Sequence, residues 1–149
     1  MSERRFEWGG LSADRAGYVT AAEALAMLEV LAVARADLEV TTELRDGAAR
    51  ARFARGDRWA VVSTPGSRWF SVDVDTGHRT QLVDATSSKD ESARLLAVYV
   101  EVAEAYVRGD AAPTRGGAFG GSSVTVEVNG RAVVLTPPFR RRMRALFGR

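Results

Sequence analysis

VTTELRDGAARARFARGDRWAVVSTPGSRWFSVDVDTGHRTQLVD, residues 40–84, reads as an antiparallel meander. Asp46-Gly47 is a two-residue turn signal, because both positions tolerate positive φ. Folding about it sets Val40 opposite Phe53, Thr41 opposite Arg52, Glu43 opposite Arg50 and Leu44 opposite Ala49. Opposite charges then meet on one face and apolar side chains on the other, which supports this register. Residues 58–63, RWAVVS, make a third strand. Thr64-Pro65-Gly66-Ser67 fits a type II turn, with proline second and glycine third.

The last two strands form a hairpin over 68–84. A three-residue loop, Asp75-Thr76-Gly77, with Gly77 left-handed, pairs Asp73 with Arg79, Ser71 with Gln81 and Phe70 with Leu82. Strand alternation sends Phe70, Val72 and Val74 to one face and Trp69, Ser71, Asp73 and Asp75 to the other. Helices covering the Phe70 face would leave Trp69 partly exposed; helices on both faces would make it core. Tryptophan is enriched where interfaces concentrate their binding energy. Trp69, Ser71, Asp73 and Asp75 are therefore the expected partner-binding residues.

Helices flank the meander. Thr20 and Glu23 form an S/T-x-x-E capping box, followed by Leu25, Leu28, Leu31 and Ala32 at helical spacing. Ser88 and Glu91 open a second helix, with Leu95, Leu96, Tyr99, Val102, Ala103 and Tyr106 as its core stripe and Gly109 as its stop. Residues 110–122, DAAPTRGGAFGGS, read as a flexible glycine-rich segment. Asn129-Gly130 then joins Val124–Val128 to Arg131–Leu135 as a second hairpin. Thr136 can cap a short final helix with Phe139, Met143, Leu146 and Phe147 as its apolar stripe. In residues 1–19, Phe6, Trp8 and Leu11 can pack as a short strand or an arm.

Strands joined by short turns cannot be parallel. The expected fold is α+β: about five antiparallel strands and a C-terminal hairpin, packed by helices in one domain over 1–149. At 149 residues such a domain buries roughly 68–70% of its unfolded surface. No apolar run reaches the ~18 residues of a membrane helix. MSERRFEWGG lacks the apolar core of a signal peptide, and the chain has no cysteine. The expected location is the cytoplasm.

Charge is unevenly spread. The net charge of +2 is too small to imply nucleic acid. Lys89 is the only lysine, and arginines gather at the C-terminal end. Arg140, Arg141, Arg142 and Arg144 read either as a solvated helix face with cations favourably placed near its C-terminus, or as a patch for an anionic ligand such as a phosphate backbone. No aromatic stacking platform accompanies them, so nucleic acid is the weaker reading.

Chemistry is thinly provided. His78 is the single histidine. Asp73, Asp75 and His78 surround one turn, but Asp, Thr and Gly are ordinary turn formers, so no metal is expected. Asp73 and Asp75 have no evident pocket to separate their pKa values for hydrolysis. Gly116-Gly117-Ala118-Phe119-Gly120-Gly121 has the composition of a phosphate loop without its lysine or its strand–helix setting. No cofactor and no enzymatic activity are expected.

Residues 49–109 carry a pattern of their own. Short strands with aromatic residues near their starts, GDRWAVVS and GSRWFSVDVD, feed a hairpin and then the helix ESARLLAVYVEVAEAYVRG. This resembles the actinobacterial immunity proteins of polymorphic toxin systems, in the family that includes the antitoxin of the tuberculosis necrotizing toxin. The resemblance implies a small cytoplasmic α+β protein that binds a cognate toxin and blocks its active site. Trp69 would anchor that contact, with Asp73 and Asp75 steering towards a basic cleft. The alternatives are a secretion chaperone or adaptor, marked by a dimer with an apolar groove, and a nucleic-acid-binding regulator using the C-terminal arginines.

Overall fold

The computed structural model describes residues 18–83, 88–114 and 122–137. In chain order the elements are α1 (Ala21–Val33), β1 (Glu39–Arg45), β2 (Ala48–Arg55), β3 (Arg58–Thr64), β4 (Trp69–Val74), β5 (Arg79–Val83), α2 (Lys89–Arg108), β6 (Ala111–Thr114), β7 (Ser123–Val128) and β8 (Arg131–Leu135). The fold is α+β with antiparallel sheets, as expected.

Local chemistry sets the element ends. The Thr20 hydroxyl accepts the Glu23 N–H at 3.2 Å, and the Glu23 carboxylate accepts the Thr20 N–H at 3.4 Å. The capping box is therefore complete. Ser88 caps α2 by accepting the Glu91 N–H at 3.1 Å, and Gly109 ends it at φ +92°. Asp46 (φ +53°) and Gly47 (φ +75°) make the first hairpin turn; Asn129 (φ +51°) and Gly130 (φ +74°) make the last.

The meander β1-β2-β3-β4-β5 has the expected register. Val40 lies opposite Phe53 and Glu43 opposite Arg50. Asp73 lies opposite Arg79 and Phe70 opposite Leu82. Gly77 (φ +81°) closes the β4–β5 loop, where the Val74 N–H donates to the His78 carbonyl. One face of this sheet buries Ala49, Ala51, Phe53, Ala60, Val62, Phe70, Val72 and Val74. Helices α1 and α2 cover that face, and Phe70 meets Tyr99 edge to face at 6.1 Å.

The other side of α2 is covered too. Residues 111–114, expected within a flexible segment, form a strand, and the second sheet has the order β6-β7-β8. Its Val126, Val128 and Leu135 join the same core as Phe53 and Phe70. One bridge ties the sheets: Arg79 and Thr136 each donate N–H to the other's carbonyl at 2.8 Å. The helix expected after Thr136 and the glycine run 116–121 lie outside the described residues, as do Phe6, Trp8 and Leu11. No helix among the described residues is long and apolar enough to cross a membrane.

Candidate functional site

Both helices lie on one face of the meander, and no helix among the described residues packs on its other face. Alternation places there the odd-numbered residues of β1, β3, β4 and β5 and the even-numbered residues of β2. Register then builds cross-strand rows. Glu43, Arg50, Ser63, Ser71 and Gln81 form one, and Thr41, Arg52, Val61, Asp73 and Arg79 the next.

Arg50, Ser63, Ser71 and Gln81 of the first row and the β1–β2 turn border an open concavity of about 340 Å³. Ala48, Ser63 and Ser71 line it low on the sheet and are buried. Trp69, Gln81, Arg50, Arg79, Arg45, Asp46 and Asp73 complete it. Trp69 is half-buried, so its indole is neither core nor free. Ser71 is 3% exposed and donates to Asp73 at 3.4 Å. Asp73 also accepts the Arg79 Nε–H at 2.6 Å.

Three arginines and two carboxylates thus face the same space. Arg45 reaches Asp46 at 3.8 Å and Arg50 reaches Glu43 at 3.7 Å, both loose pairs. A guanidinium has five donors in a planar fork, and one loose pair leaves most of them for an incoming carboxylate. Further along the face, Arg52 stacks over the half-buried Trp59 at 5.7 Å from the ring centroid.

Of the four expected partner-binding residues, Trp69, Ser71 and Asp73 line the concavity. Asp75 does not. The chain turns after Val74, and Asp75 accepts a hydrogen bond from the Tyr106 hydroxyl of α2. Burial, reinforced by that carboxylate, holds the Tyr106 phenol above the ordinary tyrosine range. Asp73 is engaged by Arg79, so the open face does not present the paired acids that alternation suggested. It presents arginines. Arg45 and Arg50 escaped the reading of the 68–84 hairpin because they stand on other strands, and Arg79 entered it only as the cross-strand partner of Asp73. Extending the hairpin registers across β3 was the signal that would have found Arg50. Arg140, Arg141, Arg142 and Arg144 lie outside the described residues.

His78 is 7% exposed and takes no part in the concavity. Its Nε2–H donates to the Ser122 carbonyl at 2.5 Å, and its Nδ1 accepts from the Thr76 hydroxyl at 2.7 Å. A carbonyl can only accept, so Nε2 carries a proton, and in the neutral ring Nδ1 is then the acceptor. The histidine pins the β4–β5 turn to the residue entering β7. Among the described residues no group of three His, Cys, Asp or Glu could hold a metal ion. Comparison with protein-family models, with curated proteins and with solved structures finds no match.

Proposed function

We propose that this chain is a non-catalytic protein-binding module, an immunity protein that neutralises a cognate bacterial toxin by occluding its active site. The observation that carries the reading is the half-buried Trp69 beside an arginine-lined concavity on a regular sheet. A flat aromatic of low conformational freedom, ringed by polar groups, is the anatomy of an interface anchor. The reading implies a cytoplasmic protein, placed to meet the toxin before or after its delivery.

The geometry changes the electrostatic sense of the contact. With Asp73 held by Arg79 and Asp75 turned to Tyr106, the face offers guanidiniums. The complementary toxin surface would bring carboxylates to Arg45 and Arg50 around a pocket for the indole. Charged and hydroxyl side chains line the concavity, which speaks against capture of an unfolded apolar segment there.

Co-expression with the toxin domain of a neighbouring gene tests the proposal. The expected result is a complex that survives purification and protection of cells from the toxin. Neither complex nor protection would overturn it.

A further inference from the structure

We infer that β1 is the edge through which two copies of this chain pair, joining their meanders into one continuous sheet. The inference rests on the backbone and charge pattern of Glu39–Arg45 and shares only Arg45 with the partner reading above.

The first observation is that β1 is an edge strand, with no neighbour beyond β2 among the described residues. The other sheet ends differently: β6 has four residues and contains Pro113, which cannot donate to a neighbour. The outer edge of β5 carries the bridge to Thr136. β1 is seven residues long, without proline or glycine. Edges of this kind template pairing unless something blocks them.

The second observation is which residues point outward. Asp46 and Gly47, both at positive φ, form a two-residue loop, so Arg45 and Ala48 are the hydrogen-bonded pair that closes it. Hydrogen-bonded and non-bonded pairs alternate along an antiparallel ladder. Arg45, Glu43, Thr41 and Glu39 therefore exchange bonds with β2. Val40, Thr42 and Leu44 aim their N–H and C=O groups at the open edge.

The third observation selects a register. A two-fold axis at Thr42 pairs Thr42 with its own copy and Val40 with Leu44 of the second copy. Each such pair exchanges hydrogen bonds between groups that already point outward. Glu39 then faces Arg45 of the second copy, and Thr41 faces Glu43, on the outer face. Slipping by two residues either way sets glutamate against glutamate: Glu39 against Glu43, or Glu43 against itself. Slipping by one sets outward groups against inward ones. Charge and hydrogen bonding thus favour this arrangement over the neighbouring slips, and it keeps all seven residues of the strand paired.

The fourth observation is the apolar surface left at this edge. Leu44 is 52% exposed on the helix-facing side, where Val40 packs against the core. The pairing covers Leu44 with Val40 of the second copy. An axis perpendicular to the sheet keeps both α1 helices on one side and both Trp69 faces on the other. It also sets Glu39 of the second copy beside Arg45, a residue of the concavity.

Sedimentation equilibrium of the full chain decides the matter. The wild type should show a mass twice 16.1 kDa at high micromolar concentration. Thr42→Pro removes an outward N–H without touching the β1–β2 ladder, and should be monomeric with unchanged circular dichroism. Arg45→Glu should raise the dimer dissociation constant by about tenfold or more. Combining it with Glu39→Arg should restore the dimer. The charge variants alter exposed side chains, so they decide the question even if the proline variant does not fold. A monomeric wild type, or a folded Thr42→Pro dimer of wild-type affinity, would overturn the edge. A double swap no tighter than Arg45→Glu alone would overturn the register.

Discussion

Gly66 has no tolerated replacement. Its φ of +135° is reserved for glycine, and a Cβ there would stand 1.9 Å from the Val19 carbonyl oxygen. The neighbouring Ser67 hydroxyl accepts the Val19 N–H at 2.7 Å, so backbone and side chain together clamp the entry of α1 onto the β3–β4 turn. Gly66→Ala should therefore lower unfolding free energy by about 3 kcal/mol or more in urea titration, combining strain with the clash. A loss below ~1 kcal/mol would mean that this close approach does not exist. The sequence shows Gly66 as a turn glycine, because Pro-Gly is a local signal. The contact with Val19 leaves no local trace, since its partner is tens of residues away in the chain. Asp75 illustrates the converse. Alternation gives it the Trp69 face, but alternation holds only inside a strand, and the turn hands its carboxylate to Tyr106.

Elements with strong local punctuation were legible: both N-caps, the Asp-Gly and Asn-Gly turns, and the three-residue loop ending at Gly77. Each depends on a backbone geometry that only certain residues satisfy, so sequence and structure speak about the same few atoms. Strand β6 was not legible. Ala-Ala-Pro-Thr has neither alternation nor β-branched residues, and only pairing with β7, at an edge that tolerates proline, makes it a strand. The tie between the α1–β1 connection and α2 was equally hidden. Arg35 binds Glu104 at 2.6 Å, and Arg108 binds both Glu104 at 3.1 Å and Asp37 at 2.6 Å. The Arg108 guanidinium holds the Asp37 carboxyl below the ordinary aspartate range. A depressed folded pKa gives stability that is present above the unfolded value and lost as pH falls through the folded one. Asp37→Asn should accordingly be less stable than wild type above the usual aspartate pKa, with the two curves converging as pH falls through that value towards the depressed one, and with a smaller difference in high salt. Urea midpoints across that range check it, and identical curves for both proteins would contradict it.

At the scale of the whole molecule, α2 is the common core element. The meander packs on one side of it, the second sheet on another, and the Arg79–Thr136 bridge and His78 join the sheets. That arrangement consumes the inner faces, and among the described residues no helix packs on the outer face of the meander. The concavity was only partly legible for this reason: it is a product of register across five strands, and a single strand discloses one row member at a time. The central claim is that Trp69 anchors a protein partner on this face. Titration calorimetry of the toxin domain from the neighbouring gene, with wild type and Trp69→Ala side by side, tests it most directly. The account predicts a dissociation constant raised about 30-fold, the ~2 kcal/mol of a central aromatic anchor, with a melting temperature lowered by only a few degrees. An unchanged dissociation constant in a folded Trp69→Ala protein would contradict it.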